Sequence, residues 1–85
     1  MRQQNKEPQY SNQAKKYIGR QDRNTKQRIK KAIEGIPKGD IVPFEGSEGS
    51  FRLRKGEFRI IFSWMSDEQI FVEKIKPRGD VYKGV

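Results

Sequence analysis

The apolar residues of this chain change their spacing once, and that change narrows the folds open to it. Through "RQDRNTKQRIKKAIEGIPKGD", Ile29, Ala32, Ile33 and Ile36 recur at three- and four-residue steps. Such spacing lays one apolar stripe along a helix. From Phe51 the period falls to two, with Phe51 and Leu53 alternating with Arg52 and Arg54. That is a strand with one face turned to a core. A helical first half, a stranded second half and a length of 85 residues predict an α+β fold. In it an N-terminal helical hairpin packs on a small curved antiparallel sheet of three to four strands, with residues 1–85 as one domain.

The punctuation fits. "NQAKKYIG" reads as a short helix that Ser11 or Asn12 can cap, with Gly19 near its end. Asp22 or Asn24 can cap the second helix, and Gly35 with Pro37 stops it. "IVPFEGSEGS" reads as a connection. Lys55-Gly56 suits a tight turn, "EFRIIFSW" a largely buried strand, "MSDE" a second turn and "QIFVEKI" a last strand. The result is a three-strand meander, and a fourth strand has to come from the polar "MRQQNKEPQY".

Charge bears on the partner. The chain carries a formal +8 with only 32% hydrophobic residues, so a polyanion or a strongly acidic protein is the expected partner. Five Phe, three Tyr and one Trp supply much of the area a thin core can bury. Cysteine and histidine are both absent. Disulfide frameworks, thiolate zinc sites, Ser-His-Asp triads and histidine acid–base chemistry are thereby excluded. No apolar run reaches the ~18–20 residues of a membrane span. The first residues have no apolar signal-peptide region, so a cytoplasmic setting is expected.

The cations fall in two groups. Between positions 15 and 31, Lys15, Lys16, Arg20, Arg23, Lys26, Arg28, Lys30 and Lys31 crowd the hairpin against one acid, Asp22. Strand alternation sends Arg52 and Arg54 to one face, and pairing across the turn brings Arg59 beside them. Glu57 is the only acid expected nearby. Like charges facing one another destabilise a sheet, and guanidinium forks match phosphate oxygens, so an anion-binding face is indicated. Pro77 and Gly79 can then bend the chain so that Lys74, Lys76, Arg78 and Tyr82 join that face. Metal-free RNA cleavage suits this inventory, because the substrate's own 2′-hydroxyl is the nucleophile. The protein has only to remove a proton, stabilise a phosphorane and protonate the leaving 5′-oxygen. Tyr82 could serve as base if neighbouring cations lower its pKa.

"AKKYIGRQDRNTKQRIKKAIEGIPKGDI", "FRLRKGEFRIIFS" and "IKPRGDVYK" together resemble the RelE/ParE superfamily of bacterial and phage toxins from type II toxin–antitoxin modules. The resemblance runs from about Ala14 to Lys83. It implies a helical hairpin on a curved antiparallel sheet and, in the RelE-like branch, a ribosome-dependent endoribonuclease. Such enzymes cut messenger RNA in the A site without metal or other cofactor, leaving a 2′,3′-cyclic phosphate and a 5′-hydroxyl, and an antitoxin wraps them. Position by position, the resemblance puts phosphate binding on Arg52 and Arg54, phosphorane stabilisation on Arg59 and the base on Tyr82. For the general acid, spacing allows Lys76 and residue type prefers Arg78. Lys74 joins the phosphate contacts, and Lys15, Lys16, Arg20, Arg23, Lys26 and Lys30 are the expected contacts to ribosomal RNA. The chain departs from the family in its polar first segment, whose strand is expected to be frayed or missing. With Val85 three residues past Tyr82, no C-terminal helix is expected over the site. Two other functions are compatible with the same fold: a ParE-like gyrase inhibitor without nuclease activity, and a non-catalytic basic module that binds RNA or an acidic protein.

Overall fold

Residues 3–77 are described by the computed structural model. Strand β1 (Gln9–Tyr10) leads into helix α1 (Asn12–Gly19) and helix α2 (Arg23–Glu34). Strands β2 (Asp40–Pro43), β3 (Ser50–Lys55), β4 (Phe58–Trp64) and β5 (Ile70–Pro77) follow. Both helices start where a polar side chain can take an orphan backbone N–H. Ser11 Oγ accepts from Ala14 N at 3.1 Å, and Asp22 Oδ1 accepts from Thr25 N at 2.8 Å. Gly35 is the C-cap of α2, as its place before Pro37 suggests.

The sheet order is β1-β5-β4-β3-β2. Its centre is the expected meander, β3 antiparallel to β4 and β4 antiparallel to β5. Lys55 pairs with Phe58, so the two loop residues are Gly56 and Glu57, one position later than the sequence suggested. Gly56 has φ +56°, and among the described residues no residue other than glycine has a positive φ. A type I′ turn is thereby excluded, and the glycine-first II′ turn fits.

The sequence reading missed one edge strand and left the direction of the other, anticipated from the polar N-terminus, open. Asp40–Pro43, read as connection, is an edge strand antiparallel to β3. Pro43 closes it at an edge, where a missing N–H is tolerated. At the other edge β1 pairs with β5 in parallel, through Gln9 with Phe71 and Tyr10 with Val72.

The polar first segment holds on by hydrogen bonds in place of apolar burial. Gln3 N and Asn5 N donate to Asp67 O and Glu68 O at 3.0 and 2.9 Å. The Gln4 side-chain amide donates to Ile33 O and Ile36 O at 2.6 and 2.9 Å, satisfying carbonyls at the end of α2. Beyond Tyr10 the edge of β5 is covered by α1 itself. Ser11 Oγ donates to Glu73 O at 2.5 Å, and the Gln13 amide both donates to Ile75 O and accepts from Ile75 N, each at 3.0 Å. A side chain thus does what further strand residues would do, and a bare edge is avoided.

The core lies between the helices and one face of the sheet. Ala14, Ile29, Ala32, Ile33 and Ile36 meet Leu53, Phe58, Ile60, Phe62, Ile70, Val72 and Ile75. Phe62 anchors the sheet side, stacked on Phe51 at 5.8 Å and edge-on to Trp64 at 6.4 Å. Among the described residues no helix is long and apolar enough to cross a membrane.

Candidate nucleic-acid interface

With Leu53, Ile60 and Ile75 committed to the core, alternation sends their neighbours to the face turned away from the helices. The ladder registers arrange that outer face in rows across the strands. One row is Asp40, Arg54, Arg59 and Lys76; the next is Val42, Arg52, Ile61 and Lys74. A third holds Ser50, Ser63 and Phe71. Arg59 is therefore directly opposite a cation on each side. Arg52 lies diagonal to it, about 7–8 Å away for such pairs. The five strand cations named from the sequence come together on one surface.

Their environment differs. Lys74 and Lys76 are exposed, while Arg52, Arg54 and Arg59 are half-buried. The Nε atom of each of these three arginines is buried and has no hydrogen-bond partner among the described residues. Leaving one buried donor unpartnered costs of the order of 1–3 kcal/mol, so three on one patch form a costly cluster. An anion relieves that cost, because Nε and a terminal nitrogen form one edge of the guanidinium fork and fit two oxygens of a phosphate.

Sequence reasoning missed two acids here. The β4–β5 register shifts between Ile61 and Phe62, which pair with Lys74 and Val72, so Glu73 is an extra bulged residue. Its Oε2 accepts from Ser50 Oγ at 2.7 Å, which brings a carboxylate onto the arginine face. Asp40 is the other, opposite Arg54. Glu57, the expected acid, instead lines a groove with Arg28, Lys31, Lys55 and Phe58. Asp40 escaped because "DIVP" is too short to announce a strand. Glu73 escaped because a bulge leaves no mark in the alternation of one strand alone.

The hairpin cations lie on the opposite side of the sheet and do not form one patch. Lys15, Arg23, Lys26 and Lys30 rim a groove of about 540 Å³ with Tyr10 and Ile18. Lys16 and Arg20 are exposed outside it. Burial, helped by Glu34 and Glu7, pushes the Tyr10 phenol above its ordinary pKa, which unsuits it as a base. Arg78, one of the two candidate acids beside Lys76, and Tyr82, the expected base, lie outside the described residues. Among the described residues no group of three or more His, Cys, Asp or Glu side chains could hold a metal.

No protein-family model matches the sequence, and no curated protein matches it either. Solved structures do match. A chain of the RelB–RelE antitoxin–toxin complex from Methanococcus jannaschii superposes with a TM-score of 0.67 at 22% identity, covering 89% of this chain and 96% of that one. A chain of the archaeal RelE–RelB complex from Pyrococcus horikoshii OT3 gives 0.62 at 26% identity, covering 93% and 98%. Two N-terminal helices on a five-strand, mostly antiparallel sheet are thus the RelE-like fold, and the match to archaeal RelE toxins places this chain in the RelE/ParE superfamily.

Proposed function

We propose that the chain is the toxin of a toxin–antitoxin pair and cuts messenger RNA on the ribosome by attack of the substrate's own 2′-hydroxyl. The observation that carries this reading is the arginine cluster. Arg52, Arg54 and Arg59 share one face, and each has a buried Nε without a partner among the described residues. A scissile phosphate seated there accepts from them and gains further negative charge as the phosphorane forms, which is where fixed cations lower a barrier most. Tyr82, as the phenolate that neighbouring cations favour, takes the 2′-hydroxyl proton. The oxygen attacks phosphorus, the bond to the 5′-oxygen breaks, and Lys76 or Arg78 protonates that oxygen. The products are a 2′,3′-cyclic phosphate and a 5′-hydroxyl, so atoms and charge balance without a further reactant.

The hairpin cations supply the second contact, to ribosomal RNA, from the other side of the sheet. A cognate antitoxin with an acidic segment neutralises the outer face. The solved RelB–RelE complexes support this pairing.

The test is induction of the protein with its double variant Tyr82→Phe, Arg59→Ala. Primer extension on transcripts should show cuts confined to translated regions for the native chain and none for the variant, with growth restored. Growth arrest that persists in the variant while gyrase supercoiling falls establishes the gyrase-inhibitor reading instead. Neither arrest nor cleavage by the native chain leaves only a non-catalytic binding module.

A further inference from the structure

The arginine face also carries apolar side chains that the core does not use. Ile61 is 4% exposed, and Val42, Phe44 and Phe71 are half-buried. None of the four belongs to the cluster between sheet and helices or is among the partly buried residues packed on it. Val42 lies opposite Arg52. Phe44 continues that side of the ladder by donating its backbone N–H to Ser50 O at 2.9 Å. Together Val42, Pro43, Phe44, Glu45 and Arg52 line a groove of about 560 Å³.

The Phe44 ring is braced. A Cβ placed on Gly46 would lie 2.7 Å from Phe44 Cε2 and 2.9 Å from Cζ, so the ring rests against the glycine backbone. An aromatic ring held this way, beside a guanidinium with an unpartnered Nε, has the parts of a single-strand nucleic-acid platform: a cation for the phosphate and a flat apolar surface for the base.

Resting on the reading of the arginines as an RNA phosphate site, we infer that the groove beside Arg52 is a nucleobase subsite. The base of a nucleotide adjoining the bound phosphate lies against Phe44 and Val42. Glu45 on the rim favours a base over the acidic segment of a protein partner. Its carboxylate repels acidic side chains, yet it can accept from the N–H groups on a base edge.

The probe is a short single-stranded RNA, 2′-O-methylated so that it cannot be cut, compared with the same backbone stripped of its bases. Binding is read by fluorescence anisotropy with the full chain. Removing the bases should weaken binding about 10-fold or more. Phe44→Leu should cause a similar loss on the intact RNA and little further loss on the stripped backbone, whereas Phe44→Tyr should bind as the native chain does. Gly46→Ala, which crowds the ring without removing it, should also weaken only the base-containing probe, and thermal melts confirm that each variant is folded. The subsite is overturned if Phe44→Leu and Gly46→Ala bind RNA normally, if they lose both probes equally, or if they lose only an acidic peptide. In those cases base-independent RNA binding by the native chain leaves the cleavage reading standing. A native chain that binds neither probe overturns the subsite, and the cleavage reading is then decided separately by primer extension after induction.

Discussion

Arg59 offers a test of whether the arginine face is built for a ligand at the expense of the fold. It stands opposite Arg54 on one strand and Lys76 on the other. Like charges facing across a sheet each cost about 0.2–1 kcal/mol, so its two neighbours together cost roughly 0.5–2 kcal/mol. Its buried, unpartnered Nε adds about 1 kcal/mol or more. Arg59→Met keeps an unbranched apolar stem over the sheet while deleting the charge and the donor. After allowing for lost contacts of the guanidinium tip, we expect a gain of about 1 kcal/mol. For a domain of this size that raises Tm by about 4–8 °C, with message cleavage abolished. The comparison is made by thermal and urea unfolding at low salt and again near 1 M, where the Debye length falls to about 3 Å. Salt should stabilise the native chain more than the variant and narrow the gap between them. A variant that is less stable than the native chain, or a gap indifferent to salt, refutes the idea that these cations repel one another and are kept to bind an anion.

Other outcomes follow from the scaffold. The hydrogen bonds from Thr25 hold the Asp22 carboxyl below its ordinary pKa, so its contribution is present above the unfolded-state value and fades as pH falls through the lower folded one. Asp22→Asn keeps an acceptor at the cap, and melts from about pH 6 to about pH 2 should show a smaller acid loss than in the native chain. Gln4→Ala removes both donors to the Ile33 and Ile36 carbonyls and should cost about 1–2 kcal/mol in urea unfolding, with faster amide exchange at Gln3 and Asn5. Gly56→Ala meets no atom within 4 Å but must hold φ +56°. It should cost roughly 1 kcal/mol in the same assay, and Gly56→Asn less.

Much of the fold was legible in the sequence because the signals were local. The α2 stripe, the caps at Ser11 and Asp22 and the side shared by Arg52, Arg54 and Arg59 depend on residues a few positions apart. A helix repeat and a strand alternation are properties of the backbone, so they hold wherever the element is placed. The polar N-terminus was harder to read. It promised a frayed strand, and β1 is indeed short, but its attachment runs through amide side chains whose partners lie 29 to 63 residues away.

What the sequence alone determined is the inventory: an α+β chain with no histidine or cysteine and arginines alternating with a buried face. Tertiary structure decided the company those arginines keep. It added β2 at the edge to bring Asp40 and Val42 alongside, inserted the Glu73 bulge, and split the hairpin cations between separate surfaces. It also left three Nε atoms buried without partners among the described residues. Register and edge pairing depend on contacts between residues distant along the chain, and no local pattern in a single strand contains them.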